Sequence, residues 1–423
     1  MRILVWGINY EPELTGIAPY NTGLCEYLAR RGHEVRMVTT FPYYPAWEKL
    51  PGDRGRIFRT ESLEGVSVHR CWHYVPRQVT TLKRILHEFS FALTSSVRVL
   101  TLPRAAVTVV VSPPLFLGPC ARLVSWLRRS RYVFHVQDLQ PDAAVGLGMV
   151  KPGLFVRALY GLEACAYGGA RAVSGISAGM LAAFTSKKVP VGRQLYFPNW
   201  CAPLPLEPRA ANEFEHCRRR ADCRRQLGLP EDALIALYSG NIGRKQGLGV
   251  LVEAARLLAE APVAPSERRV HLIIAGEGAT RSELESALAR QPGLPLTLLP
   301  LQPEWKYREL LGSVDLGLIT QAAGTGQFFF PSKLLALLSA GLPVITVADQ
   351  GSELALAVAE GKFGVNVSPE EPWQIARILR ELADDPERLE RLRAGTGWVR
   401  RFAAERVLAE FEARLMEIGL PRC

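Results

Sequence analysis

The chain is predicted to fold as two α/β domains, each an open, doubly wound parallel sheet with helices on both faces. Three observations predict this. Short apolar runs rich in β-formers alternate with amphipathic stretches, and the alternation stops and restarts once. The break, from Phe197 to about Asp232, is rich in proline and then densely charged (Arg218, Arg219, Arg220, Arg224, Arg225), as an interdomain connection would be. At 423 residues the chain is also too long for one ordinary core. Ligands of such sheets bind outside the carboxyl ends of the strands, so the cleft between two such lobes is the expected site.

The first series opens with a strand over residues 2–7 and a loop carrying Thr15 and Gly16. An amphipathic stretch with Leu24, Leu28 and Ala29 leads through Gly32 to a second strand at 34–39. This is a β-α-β unit with glycine in its first turn. Further strands are expected at 66–70, 106–111 and 132–136, with helical stretches between the later ones. The second series starts at 233–240 and continues with a helix at 248–258 and strands at 270–275, 296–299, 316–319 and 344–347. The expected domains are 1–197 and 233–399, joined by a linker at 198–232. Residues 387–420 read as helical and charged, and the stretch from about 400 to 423 is a helix able to pack back on the first lobe.

One stretch carries more chemistry than the rest. Pro331 pushes Phe330 out of helical conformation, Ser332 can cap the donors that follow, and Lys333 stands at the corner. Gly341 can end the helix in the left-handed region, and Pro343 stops it from resuming before the strand at 344–347. Free backbone N–H groups beside a lysine make an anion site, with Ser332, Lys333 and Leu334 at its start. A second turn and helix start follow at Gly351-Ser352-Glu353-Leu354.

Composition narrows the partners. Nearly half of the residues are apolar and 22% are charged, which is globular rather than disordered. The eight cysteines are scattered without zinc-ligand spacing and read as reduced thiols of a cytoplasmic protein. The start of the chain meets Asn9 and Glu11 too soon for a signal-peptide core, and no apolar run approaches a membrane span. Residues 1–200 carry 24 basic and 12 acidic side chains, a net +12, against a net −2 for the remainder. The first lobe is therefore expected to meet an anionic partner. Nucleic acid is not the expected one, because no interleaved Arg/aromatic stacking motif is present.

Five stretches, taken together and in order, support a family. They are residues 7–16, Phe41-Pro42-Tyr43-Tyr44-Pro45, Phe197-Pro198-Asn199-Trp200, Tyr238-Ser239-Gly240-Asn241-Ile242-Gly243, and the Pro331-Ser332-Lys333 corner. The chain resembles retaining glycosyltransferases of family 4, and within them the branch that builds colanic-acid-type exopolysaccharides. The resemblance implies the GT-B fold, with two Rossmann-like domains facing a central cleft. It implies transfer of a sugar from a nucleotide-diphosphate sugar to a lipid-linked or oligosaccharide acceptor, with retention, and an enzyme at or near the inner face of the cytoplasmic membrane. The chain departs from the family in two respects. The two glutamates usual at the nucleotide-sugar helix fall on Phe328 and Ala336. The family's basic pair falls on Asn241 and Gln246, with Arg244 and Lys245 between them.

Expulsion of a nucleoside diphosphate needs its growing charge neutralised. The chain has no Asp-x-Asp motif, so cationic side chains are expected to do this without a metal or other cofactor. Lys333, Arg244 and Lys245 are the candidates, and Arg244 is favoured of the last two for its planar fork. Gly240, Asn241, Gly276, Glu277 and Gly278 follow strands and are read as nucleotide-side loops, against the alternative that their glycines only make turns. Glu353 and Asn199 join the donor side. In the first lobe His135 and Asp138, at a strand end, are candidates for catalytic contact with sugar or acceptor hydroxyls; a packed histidine and a turn-capping aspartate are the rival readings. Gly16 would leave room for phosphates or acceptor. Lys83-Arg84 through Leu100 mixes basic and bulky apolar residues at helical spacing, which fits either an ordinary domain helix or a patch that meets anionic lipid. On the same architecture a nucleotide-sugar epimerase, or a binding protein that has lost catalysis, are the alternatives to a transferase.

Overall fold

The computed structural model describes residues 1–14, 16–78, 80–146, 153–201, 213–260, 267–324 and 333–420. It divides into two compact units, Met1–Asn199 with Glu405–Cys423, and Trp200–Ala404.

The first unit holds eight strands: β1 (Arg2–Trp6), β2 (Glu34–Thr40), β3 (Phe58–Leu63), β4 (Val66–Cys71), β5 (Val107–Ser112), β6 (Tyr132–Val136), β7 (Ala172–Gly175) and β8 (Gln194–Tyr196). Their order is β3-β4-β2-β1-β5-β6-β7-β8, and every pairing is parallel except β3 against β4. Parallel strands covered on both faces read as continuous apolar runs, and β5 shows this with all six residues buried. The antiparallel β3 alternates exposed and half-buried residues along Phe58–Leu63, which is why its sequence carries no such run. The core beneath the helices gathers Trp6, Phe91, Val110, Phe134, Tyr167 and Phe184.

The second unit holds β9 (Leu234–Ser239), β10 (Val270–Ala275), β11 (Leu296–Leu299), β12 (Leu316–Thr320), β13 (Val344–Val347) and β14 (Gly364–Val367), all parallel in the order β11-β10-β9-β12-β13-β14. Alternation along β9 shows the double winding directly. Leu234, Ala236 and Tyr238 join one core with Leu251 and Ile375, while Ile235 and Leu237 join another with Leu310, Leu337 and Leu354. The helix Lys333–Ser339 ends as its sequence predicts: Gly341 takes φ +67° and Leu342 N donates to Leu337 O at 3.0 Å.

The stretch expected as linker contains a 14-residue helix, Glu213–Gln226. Arg224 anchors it. This arginine is 1% exposed and donates to Asp315 Oδ2 at 2.9 Å, to Ser313 O at 2.8 Å and to Glu231 O at 2.6 Å. At the other end of the chain, the helix Ala404–Gly419 lies against the first unit. Phe411 stacks on Phe197 at 3.7 Å between ring centroids, and Glu412 meets His33 Nε2 at 2.8 Å and Tyr27 at 3.1 Å.

Candidate active site

In the second unit the strand order reverses between β9 and β12, so the loops leaving their carboxyl ends diverge and leave space there. The loop after β9 is Gly240-Asn241-Ile242-Gly243, and the one after β10 is Gly276-Glu277-Gly278. The two lie on each other: Gly240 N donates to Ala275 O and Ile242 N to Glu277 O, both at 2.8 Å. A Cβ on Gly276 would stand 1.8 Å from the Gly240 carbonyl oxygen, and one on Gly278 2.1 Å from that of Ile242. These two glycines are therefore demanded by packing of backbone on backbone. The Glu277 side chain is exposed and 3.6 Å from Arg281.

Lys333 reaches this loop pair from the start of its helix. Its Nζ donates to Tyr238 Oη at 2.6 Å and sits 4.0 Å from the centroid of the same ring, while Tyr238 Oη donates to Asn241 O at 2.7 Å. The path is open only because residue 240 is glycine, since a Cβ there would stand 2.3 Å from Lys333 Cε. Among the described residues no carboxylate pairs with this ammonium. Burial strips its water and Lys245 adds a like charge, and together they pull the Lys333 pKa down to about 7.

Lys245 lies in the 3₁₀ turn Arg244–Gln246, whose Lys245 O accepts from Ala322 N at 2.9 Å and so ties the turn to the loop after β12. Lys245, rather than the exposed Arg244, is the charge that Lys333 feels. The Asn241 amide lies 3.5 Å from Gln246 Oε1. After β13, Asp349 Oδ2 accepts from Gly324 N at 2.9 Å, and buried Ser352 caps the helix Glu353–Gly361 by accepting from Ala355 N at 3.2 Å. Glu353 opens that helix, half-buried. Leu334 is fully buried in the core and offers no side chain to a ligand. Ser332, with Pro331 and Phe328, lies outside the described residues.

The first-unit candidates stand at carboxyl ends too, in different states. His135 is 3% exposed, its Nδ1 is 2.9 Å from Ser174 Oγ, its Nε2 is 2.8 Å from the Gln137 amide, and its ring packs 4.9 Å from that of Phe197. Burial pulls its pKa down to about 3, so the ring is neutral. That environment is the packed one. Asp138 follows in the loop, half-buried. Asn199 is buried, and its Oδ1 has no hydrogen-bond partner among the described residues. Gly16 takes φ +68°, near Tyr44.

Three residues not singled out from the sequence organise these loops. Tyr238 is the partner of Lys333. Buried Glu13 accepts from the backbone N–H groups of Tyr43 and Tyr44, both at 2.8 Å, and from the Asn9 amide at 2.7 Å. Buried Arg70 donates to Glu11 O at 2.6 Å. Both pin the loop that carries Gly16. The available signal for Glu13 was a carboxylate inside the most distinctive motif of the first lobe, residues 7–16.

The sequence matches the Glycosyl transferase 4-like domain over residues 15–200 and Glycosyl transferases group 1 over residues 219–396. It is 37% identical over 389 residues to WcaI of Escherichia coli K12, named for glycosyl transfer in colanic acid biosynthesis, covering 90% of this chain and 92% of that one. Among solved structures, sucrose-phosphate synthase from Thermosynechococcus elongatus superposes with a TM-score of 0.70 at 17% identity, covering 99% and 98% of the two chains. HepE of Anabaena, solved with UDP and glucose, gives 0.68 at 14% identity, covering 98% and 99%. The chain belongs to the family-4 type of glycosyltransferases with the GT-B fold. It is a glycosyltransferase.

Proposed function

We propose that the chain moves a sugar from a nucleoside-diphosphate sugar to a lipid-linked oligosaccharide in exopolysaccharide or cell-envelope glycan synthesis, with retention and without a metal. The observation that carries the donor side is Lys333, a cation held at the switch point of the second sheet by a neutral phenol alone and opposed by a neighbouring like charge. A group in that state gains most when an anion arrives. The diphosphate would raise the pKa of Lys333, so binding takes up a proton near neutral pH, and the resulting ammonium then opposes the charge that grows as the sugar–phosphate bond breaks. Arg244 and Lys245 extend the same role. The nucleotide-bound form of HepE and the biosynthetic role in the name of the Escherichia coli relative support the donor class and the pathway class.

On the acceptor side Asp138 is the carboxylate available to sugar or acceptor hydroxyls. His135 acts as a positioning residue, because it holds the Gln137 amide one residue before Asp138. Gly16 leaves room for phosphates or acceptor, and Asn199 belongs to the donor side of this reading.

The test is transfer from a radiolabelled nucleotide-sugar to the lipid extract of a glycan-producing membrane, with and without EDTA. Label in the lipid phase, undiminished by EDTA, is the expected result. An epimerised nucleotide-sugar with no acceptor product would replace the transferase reading. Activity lost with EDTA and restored by magnesium or manganese would remove the metal-free part.

A further inference from the structure

The helix Thr81–Thr101 turns its core-facing residues, among them His87, Phe91, Ala92, Ser95 and Val99, inward. On the opposite side Leu82, Leu86, Phe89, Leu93, Val97 and Leu100 are each 43–76% exposed. At about 100° per residue these six fall within an arc of roughly 80°, so they form one stripe along the whole helix. The helix Leu117–Arg128 runs beside it in the same direction. Phe89 meets Phe116 at 5.8 Å at one end, and Arg128 donates to Val99 O and Leu100 O at 2.8 Å at the other. That second helix adds Leu123, Leu127 and Trp126, the last 74% exposed. No helix among the described residues is long and apolar enough to cross a membrane.

We propose that these two parallel helices form a docking face that lies in the surface of an anionic bilayer. Charge selects this occupant. Between Thr80 and Arg131 there are eight basic side chains and one acidic, and the acidic one, Glu88, is turned inward beside Arg84. A second copy of the chain would bring the same positive face and be repelled. Anionic head groups are attracted to Lys83, Arg122 and Arg129, while the leucines, Phe89 and Trp126 enter the acyl boundary as an interfacial helix does. An exposed tryptophan beside arginines suits that boundary, where an amphipathic ring sits at head-group level. The proposal deepens the transferase reading, because a lipid-linked acceptor presents its sugar at such a surface.

Co-sedimentation with phosphatidylglycerol vesicles and with phosphatidylcholine vesicles tests the face without any substrate. Binding to the anionic vesicles at least ten-fold tighter is expected. Raised salt and Lys83→Glu/Arg129→Glu should each weaken it, and Leu93→Asn/Trp126→Ser should remove the part that salt leaves. Quenching by bromine-labelled acyl chains should fall with Trp126→Phe, which keeps an apolar anchor. Equal binding to both vesicle types, or quenching unchanged in Trp126→Phe, would overturn the proposal. So would concentration-dependent dimerisation abolished by Leu93→Asn/Trp126→Ser, which would make the face a protein interface. Each variant should keep the wild-type melting temperature and its shift with nucleoside diphosphate. A missing shift with intact vesicle binding would count against the transferase reading alone.

Discussion

Arg224 and Lys333 are both drawn out of water in the second lobe, at opposite ends of the same sheet, and their surroundings differ completely. Arg224 lies at the amino ends of β9 and β12. Asp315, three backbone carbonyls and good geometry satisfy its guanidinium. Arg220 and Arg268 share the same carboxylate at 2.6 and 3.3 Å, and Ile235 N donates to it at 2.8 Å. Lys333 lies at the carboxyl ends, with one phenol oxygen and no carboxylate among the described residues. A cation whose partners are supplied by the chain holds the fold together. One with no carboxylate partner among the described residues is, in the proposed reading, completed by an anion that arrives from outside. Position in the sheet agrees, since ligands of open parallel sheets bind at carboxyl ends.

The largest effect should come from breaking the satisfied end. Asp315→Ala leaves Arg224 buried without its counter-charge and should cost on the order of 3–5 kcal/mol of unfolding free energy, read by urea titration. The pH dependence follows from the carboxylate. Burial pushes its pKa up, but Arg220, Arg268 and the Ile235 N–H more than offset this and hold it below its ordinary value. A carboxylate with a depressed folded pKa contributes stability above its unfolded pKa and loses it as pH falls through the folded one. The wild type should therefore lose this contribution only in strong acid, and Asp315→Ala should flatten the acid limb. An unchanged acid limb would mean that the arginines do not depend on Asp315.

A smaller change of opposite sign is expected at the other end. The Lys333 pKa is about 7 in the folded chain, well below that of an exposed lysine. Between pH 7 and about 10.4 the unfolded chain then binds more protons, so the burden on stability is fully present below pH 7 and is relieved as pH rises. Lys333→Met should raise the melting temperature of the free protein at pH 6, and the gain should shrink by pH 10. A variant less stable than wild type at pH 6 would make Lys333 a structural residue like Arg224.

The contrast between the two ends also explains what the sequence could disclose. Parallel strands buried on both faces, such as β5 and β9, announce themselves as apolar runs, and their boundaries agree with expectation to within a residue or so. The strands missed were β3, β7, β8 and β14. One is an edge strand with no buried face, and the others have only three or four residues, too few to show a period. The helix Glu213–Gln226 has the local composition of a charged linker, and its fixing contact, Arg224 to Asp315, spans 91 residues of sequence. Local composition cannot show a pairing at that range.

Site residues divide in the same way. The helix that starts at Lys333 is legible because Pro331 and Gly341 bracket it in the sequence. A histidine at a strand end, as His135 is, fits a packed core residue and a sugar contact equally well in the sequence. Its bonds to Ser174 and Gln137 depend on register across the sheet and on a loop turn, which no linear pattern reveals. The glycines of the second lobe are legible as loops, whereas the contacts that demand them are not. Gly276 and Gly278 serve backbone packing, and Gly240 lets a lysine pass.

Titration calorimetry of Lys333→Met against wild type, with a nucleoside diphosphate and its parent nucleoside at pH 7.5, tests the central claim most directly. A charge-assisted contact is worth about 1.5–3 kcal/mol, so diphosphate affinity should fall roughly ten-fold or more while nucleoside affinity is nearly unchanged. Wild-type binding of the diphosphate should take up a proton, seen as a dependence of the heat on buffer ionisation, and the variant should show none from this group. Equal losses for both ligands, with no difference in proton uptake, would contradict the assignment of Lys333 to the phosphates.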